Sequence, residues 1–301
     1  MTGIHTFTTV QRISFGWGAR QRITDEVARL GSKPFLIASR TLLERGDLAG
    51  LLEELRNRSP EVEVMQGPPG EPELAYVQAA RSRCRESACD VVVGIGGGSV
   101  LDAAKAVAAL LHNPESLEEA FYQGSASAPG VPCIAVPTTA GTGAEVTPNS
   151  VLTDPEKRVK QSIRGESFLP KSVVNDPELT LTVPRHVKAA SGADALTQAI
   201  ESFTSRGANE LTDALALHAF TLIAHNILNV VENKGDSVEA HINMAYGSMM
   251  AGMALANARL GAVHGLAHPL GARYGVPHGV CCAVLLPPVM QFNEPVVAGK
   301  Y

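Results

Sequence analysis

Short apolar runs alternate with helical periods along the first part of the chain, and that alternation limits the possible folds more than any other feature. PFLIAS, VEVMQG, DVVVGIGG and PCIAVPTT predict buried strands, separated by helical segments such as TLLERGDLAGLLEELRNR. Strands that read as apolar runs between helices belong to a parallel sheet covered on both faces. Beyond Pro184 the strand-like runs stop. Long Ala/Leu-rich stretches follow, ELTDALALHAFTLIAHNILNVV and EAHINMAYGSMMAGMALANARLGAVHGLAH, and predict an all-helical half. The expected division is an α/β domain over residues 1–183 and an all-α domain over 184–301. The boundary lies near DPELTLTVPRHVKAASG, where prolines and an Asp precede a Ser/Gly helix start. The apolar segment AVLLPPVMQF near the end calls for further helices to cover it, so a C-terminally truncated helical domain is expected.

At 301 residues, 45% hydrophobic and 18% charged, the chain can bury a large core. A net charge of -5 with no dense Lys/Arg run argues against a nucleic-acid surface and for a small-molecule ligand. Cys84, Cys89, Cys133, Cys281 and Cys282 are odd in number, form no CxxC pair and sit in a long chain that needs no staples. All five are expected as reduced thiols. The N-terminus lacks a basic head followed by an apolar run, and no uncharged stretch reads as a continuous apolar span of about 18 residues. A cytoplasmic protein without membrane partners is expected.

Three of the nine histidines, His264, His268 and His278, fall within AVHGLAHPLGARYGVPHG. A helix sets His264 and His268 one turn apart on one face, and the Pro277–His278–Gly279 corner can return a third imidazole to them. That is the geometry of a metal site or a proton relay. Upstream, in SGADALTQAIE, Asp194, Gln198 and Glu201 share another helical face and offer a carboxylate to a mixed N/O coordination sphere.

DVVVGIGGGSVLDAAKAVA runs a hydrophobic strand into Gly94, Gly96, Gly97 and Gly98, then Ser99 and an Ala-rich helix. A glycine turn at a helix N-terminus lets backbone amides approach a pyrophosphate. The pattern departs from G-x-G-x-x-G at Ser99 and lacks the Gly-Lys-Ser/Thr ending, so a plain structural turn fits it as well. A second loop, PTTAGTGAEVTPNSVLTD, crowds Thr138, Thr139, Thr142 and Asn149 around Gly141 and Gly143, with donors suited to phosphate and ribose oxygens.

In order, GIGGGSVLDAAK, PTTAGTGAEVTPNSVLTDPEKRVK, DPELTLTVP, GADALTQAIESFTSR and VHGLAHPLGARYGVPHGV resemble the iron-containing (group III) alcohol dehydrogenases, in particular their lactaldehyde reductase and 1,3-propanediol dehydrogenase branch. The resemblance spans essentially the whole chain. It implies an N-terminal α/β nucleotide-binding domain with a parallel sheet, an all-α metal-binding domain of dehydroquinate synthase-like architecture, a cleft between them and a homodimer. It implies pyrophosphate binding at Gly96, Gly97, Gly98 and Ser99, and cofactor contacts from Thr138, Thr139, Thr142, Val151 and Lys160. It places metal ligands at Asp194, His264 and His278, with Gln198 at the fourth position where the family has a His, and the proton-relay histidine at His268.

Two departures matter. A Gln amide oxygen is a weaker donor than imidazole, so Gln198 should lower affinity for Fe2+ or Zn2+. The residue at which NAD-preferring relatives carry an Asp aligns with Ser39, beside Arg40, which opens NADP as well as NAD. The expected activity is hydride transfer between NAD(P) and a small alcohol or aldehyde, assisted by a divalent metal. Three alternatives remain: a metal-independent reductase of the maleylacetate reductase type, a dehydroquinate synthase-like lyase, and a nucleotide-binding protein without turnover.

Overall fold

The computed structural model describes residues 4–59, 61–232 and 237–301. They form two compact units. One comprises Val10–Thr138 and Pro148–Asp176; the other takes the segment ending at Thr9, the excursion Thr139–Thr147 and everything from Pro177 onward.

The first unit is built on a parallel sheet of β1 (Arg12–Phe15), β2 (Pro34–Ala38), β3 (Glu63–Gln66), β4 (Val91–Gly96), β5 (Cys133–Pro137) and β8 (Ser172–Asn175), in the spatial order β1-β8-β5-β4-β2-β3. Every residue of β2, β4 and β5 is buried, the state that their unbroken apolar runs demand of central parallel strands. The edge strands β1 and β3 are half-exposed and correspondingly mixed in composition. Helices α1 (Ile23–Leu30), α2 (Arg40–Glu44), α3 (Ala49–Arg58), α4 (Leu74–Glu86), α5 (Gly98–Leu110) and α6 (Leu117–Gln123) complete this unit. Strand order reverses between β2 and β4, so the carboxyl ends of these neighbours form a topological switch point, where open α/β sheets bind ligands.

Helix α5 is buried almost throughout, and its run of alanines lets it lie close on β4 and β5. Within it, Lys105 is fully buried and its Nζ lies 3.3 Å from Asp102 Oδ1. Asp102 Oδ2 accepts the Val151 amide (3.1 Å) and its carbonyl accepts the Ser150 hydroxyl (2.8 Å). This buried pair therefore clamps the antiparallel hairpin of β6 (Asn149–Asp154) and β7 (Val159–Arg164) onto the helix that follows the glycine turn. Burial pushes the Asp102 carboxyl up while Lys105 pulls it down. Cys84 and Cys89, at the end of α4, are joined in a disulfide across a Cα separation of 5.3 Å, which corrects the expectation of five reduced thiols. The helix end folds back within five residues and brings the two sulfurs together. Cys133, Cys281 and Cys282 are free and buried.

The second unit is helical: α7 (Arg185–Thr204), α8 (Glu210–Glu232), α9 (Val238–Ala258), α10 (Ala262–Tyr274) and α11 (His278–Val297). α7, α8 and α9 pack on one another around Ala195, Ala199, Ala219, Ile223, Met244 and Ala251, and α11 packs on α7 and α10. By length and composition alone, α8 and His278–Lys300 are apolar enough to cross a membrane. α8 has both α7 and α9 as packing partners. The stretch expected as one long helix is two, broken between Ala258 and Ala262, where Arg259 adopts φ 69°. Gly261 sits in the break because a Cβ there would fall 2.7 Å from Glu201 Oε1.

Candidate active site

Three helices of the second unit bring four donor side chains to one point. Asp194 comes from α7, His264 from α10, and His278 and Cys282 from the first two turns of α11. One ligand atom from each lies within 4.8 Å of every other. His264 Nε2 is 3.2 Å from Asp194 Oδ1, and His278 Nε2 is 3.7 Å from the same oxygen. Cys282 Sγ is 3.9 Å from His264 Nε2 and 3.7 Å from His278 Nε2. The local reasons are simple. The left-handed Gly275 ends α10, Pro277 caps α11, and the reversal between them returns His278 to the face that His264 occupies. Cys282 follows His278 by four residues and so stands one turn behind it.

Glu201, two turns along α7 from Asp194, supports this cluster from behind. Its Oε2 accepts His264 Nδ1 at 2.6 Å and the His264 amide at 3.3 Å, and its Oε1 accepts the Val263 amide at 2.7 Å. One buried carboxylate thus caps α10 and orients the imidazole so that Nε2 points at the cluster, the arrangement that fixes the tautomer of metal-ligating histidines. Burial opposes charge on His264, but Asp194, Cys282 and Glu201 outweigh it and hold the imidazole well above its ordinary value. Burial likewise pushes Asp194 up, and the hydrogen bond from His264 and the charge of His278 reverse the sign and leave its carboxyl below the usual range. The Cys282 thiol is pushed up by burial, with the His264 hydrogen bond acting against that.

Gln198 lies one turn from Asp194. Its Nε2 donates to the Thr142 carbonyl (3.3 Å) and its amide also bonds Asp194. Both partners are acceptors, so the amide orientation is fixed and Oε1 is left buried with no hydrogen-bond partner among the described residues. A buried, orphaned carbonyl on the residue one turn from Asp194, whose carboxylate meets two imidazoles, is what a cation site contains before its cation. The donor set therefore fits a divalent metal. The His268 ring centroid lies 5.2 Å from that of His278, and His268 is half-buried.

The residues expected at the cofactor gather in part. Gly97 precedes the first turn of α5, so Gly96–Ser99 lie at the carboxyl end of β4, against a helix N-terminus. Ser39 ends the neighbouring β2, donates its amide to Ile95 and caps α2 through its hydroxyl. Thr138 ends β5 and donates its amide to Gly96. Val151 and Lys160 are on the clamped hairpin, where Lys160 Nζ pairs with Glu71 at 2.7 Å. Thr139 and Thr142 belong to the excursion in the helical unit, where Thr142 meets Gln198. Arg40 is engaged on the surface by Glu44 at 2.6 Å. Sequence reasoning missed Cys282, whose spacing of four from His278 was the available signal, and the Asp102–Lys105 clamp.

The iron-containing alcohol dehydrogenase model matches residues 10–177, and the model for the C-terminal part of Fe-containing alcohol dehydrogenases matches residues 188–301. The chain belongs to the iron-containing alcohol dehydrogenase family. It is 39% identical over 290 residues to lactaldehyde reductase of Escherichia coli (strain K12), covering 95% of this chain and 75% of the relative. The fold superimposes on a 1,3-propanediol oxidoreductase with a TM-score of 0.89 at 36% identity, over 97% of this chain and 77% of that one. It also matches sulfoacetaldehyde reductase from Bifidobacterium kashiwanohense in complex with NAD+, with a TM-score of 0.89 at 31% identity and the same coverage. The α/β-plus-helical architecture expected from the motifs is the one this family has, and the chain is an alcohol/aldehyde oxidoreductase of the family.

Proposed function

We propose that this oxidoreductase interconverts a small alcohol and its aldehyde with NAD(P) at a metal held by Asp194, His264 and His278, with the Gln198 carbonyl turned toward it. The convergence of buried donor atoms within 4.8 Å carries the reading. When bound, the ion supplies Lewis acidity to the substrate oxygen and the dinucleotide supplies or accepts the hydride. The chain's own residues bind and orient. Gly96, Gly97, Gly98 and Ser99 offer the amides of a helix N-terminus to the pyrophosphate, and Thr138, Thr139, Thr142, Val151 and Lys160 follow the dinucleotide toward its nicotinamide. Glu201 accepts the Nδ1 proton of His264 in a hydrogen bond and so fixes the tautomer and orientation in which Nε2 would face the metal. In reduction, a ring nitrogen of His268 delivers the proton to the substrate oxygen, and in oxidation it takes that proton away.

Ser39 presents no carboxylate to a 2′-phosphate, and Arg40 is already paired with Glu44. Acceptance of both NAD and NADP follows, without the strong preference an Asp or a free Arg would impose. Fe2+ and Zn2+ both suit nitrogen and oxygen donors.

Absorbance of NADH and NADPH with short aldehydes, before and after chelator treatment, tests the reading. Turnover should vanish on metal removal and return when Zn2+ or Fe2+ is restored; undiminished turnover in metal-free protein would defeat it. Histidine 268 gives a separable prediction. His268→Ala should lower kcat by about 100-fold, the usual share of general acid–base catalysis, while metal content stays at the wild-type level.

A further inference from the structure

We propose that Cys282 is an inner ligand of this metal, so that the site is an Asp/His/His/Cys centre built for a zinc-like ion, which would take the substrate oxygen as a fifth donor. The inference rests on the metal-assisted reading above and adds a donor which that reading does not use. In a tetrahedral site with metal–nitrogen or –oxygen bonds of about 2.05 Å and a metal–sulfur bond of about 2.3 Å, neighbouring N/O donors are about 3.3 Å apart and sulfur lies about 3.6 Å from each nitrogen. The corresponding separations are 3.2 Å for His264 Nε2 to Asp194 Oδ1, 3.7 Å for His278 Nε2 to Asp194 Oδ1, and 3.9 and 3.7 Å from Cys282 Sγ to the two imidazole nitrogens. These four of the six edges are within about 0.4 Å of the ideal tetrahedron, and all donor atoms lie within 4.8 Å of one another.

The placement of Cys282 supports this. It is fully buried on α11, and its sulfur is directed at the same two nitrogens as the Asp194 oxygen. His278 and Cys282 form a ligand pair four residues apart on one helix, the spacing by which a single helix grips a metal with two side chains. Gln198 occupies the place of the family's fourth ligand, and a neutral amide oxygen there leaves the ion short of donor strength. A thiolate on the opposite helix makes up that deficit. The bond that forms is metal–sulfur, the bond that breaks is S–H, and the thiol proton leaves to solvent. Nitrogen, oxygen and sulfur in one tetrahedral set suit Zn2+ better than Fe2+.

X-ray absorption on the full chain loaded with Zn2+ decides the matter, because the wild-type spectrum requires no variant to fold. One sulfur scatterer at about 2.3 Å beside nitrogen and oxygen at about 2.0–2.1 Å is the expected result. With Co2+ in place of Zn2+, a thiolate-to-metal charge-transfer band should appear in the near ultraviolet. Cys282→Ser should abolish that band and weaken Zn2+ binding by at least about 10-fold, whereas Gln198→Ala should keep the band. Bound Zn2+ with only nitrogen and oxygen neighbours would overturn the sulfur ligand and leave the metal-assisted reading standing. Failure of the wild-type chain to retain Zn2+ or Co2+ at all would overturn both.

Discussion

His264→Ala is expected to eliminate stoichiometric metal binding and turnover together, and to lower the stability of the metal-free protein as well. The imidazole stands between two buried carboxylates, with Glu201 Oε2 2.6 Å from one nitrogen and Asp194 Oδ1 3.2 Å from the other. Removing it takes away one of the proposed ligands and leaves those carboxylates facing a void. Breaking a buried charge pair by deleting one partner costs on the order of 3 kcal/mol. Glu201 retains the Val263 and His264 amides, so α10 keeps its cap and the loss falls on the cluster, not on the helix. Equilibrium unfolding with and without Zn2+ reads both effects. Wild type should gain about 2.7 kcal/mol at a metal concentration 100 times its Kd, and the variant should gain nothing. A variant that binds one ion with wild-type affinity would show that His264 is not a ligand.

The parts of this molecule that could be read from the chain are those in which one physical demand acts alone. β2, β4 and β5 are buried on both faces, so their sequences are apolar at every step and announce themselves. β1 answers to solvent, and RISF carries no comparable signal; VEVMQG was expected as a buried strand, and β3 there is a half-exposed edge strand because β2 is its one partner in the sheet. The β6–β7 hairpin hid inside a hydroxyl-rich loop because it is held by Asp102 and Lys105, partners about 50 residues upstream that no local pattern displays. The break between α9 and α10 was invisible for a similar reason. The Glu201 carboxylate lies where a Cβ at 261 would be, a tertiary placement that an otherwise continuous helical pattern does not display. Thr139–Thr147 sits between β5 and β6 in sequence yet belongs to the helical unit, and no single cut along a chain expresses such an excursion. Of the site, the sequence displayed the pairs His264/His268 and Asp194/Gln198, because i, i+4 spacing is a property of one helix, whereas the approach of α7, α10 and α11 that brings Asp194, His264 and His278 together is tertiary. Cys282 was passed over because a buried thiol looks the same whether it packs or ligates.

The close approach of α11 to α7 is the structural requirement behind the cluster, and Gly279→Ala should show it. Gly279 follows His278 directly, and a Cβ on it would land on the Ala190 carbonyl group, 2.6 Å from the carbonyl carbon. Both sides of that contact are backbone, so no side chain can swing aside and the helices must part. Overpacking of this kind costs about 1–3 kcal/mol. The functional loss should be larger than the stability loss suggests, because a metal site tolerates only about 0.2 Å of error in its bond lengths and His278 and Cys282 both ride on the displaced helix. Asp194, one turn from Ala190 on α7, would stay behind with His264. Gly265→Ala supplies the control. Gly265 lies on α10 beside His264, a Cβ there meets nothing within 4 Å, and helix propensity favours the change by up to about 1 kcal/mol. Thermal unfolding and bound-metal analysis of the two variants should therefore diverge, with Gly265→Ala as stable as wild type and fully metallated and Gly279→Ala destabilised and metal-poor. Equal metal content in both would mean that the ligands on α11 do not depend on its contact with α7, and the three-helix account of the site would fail.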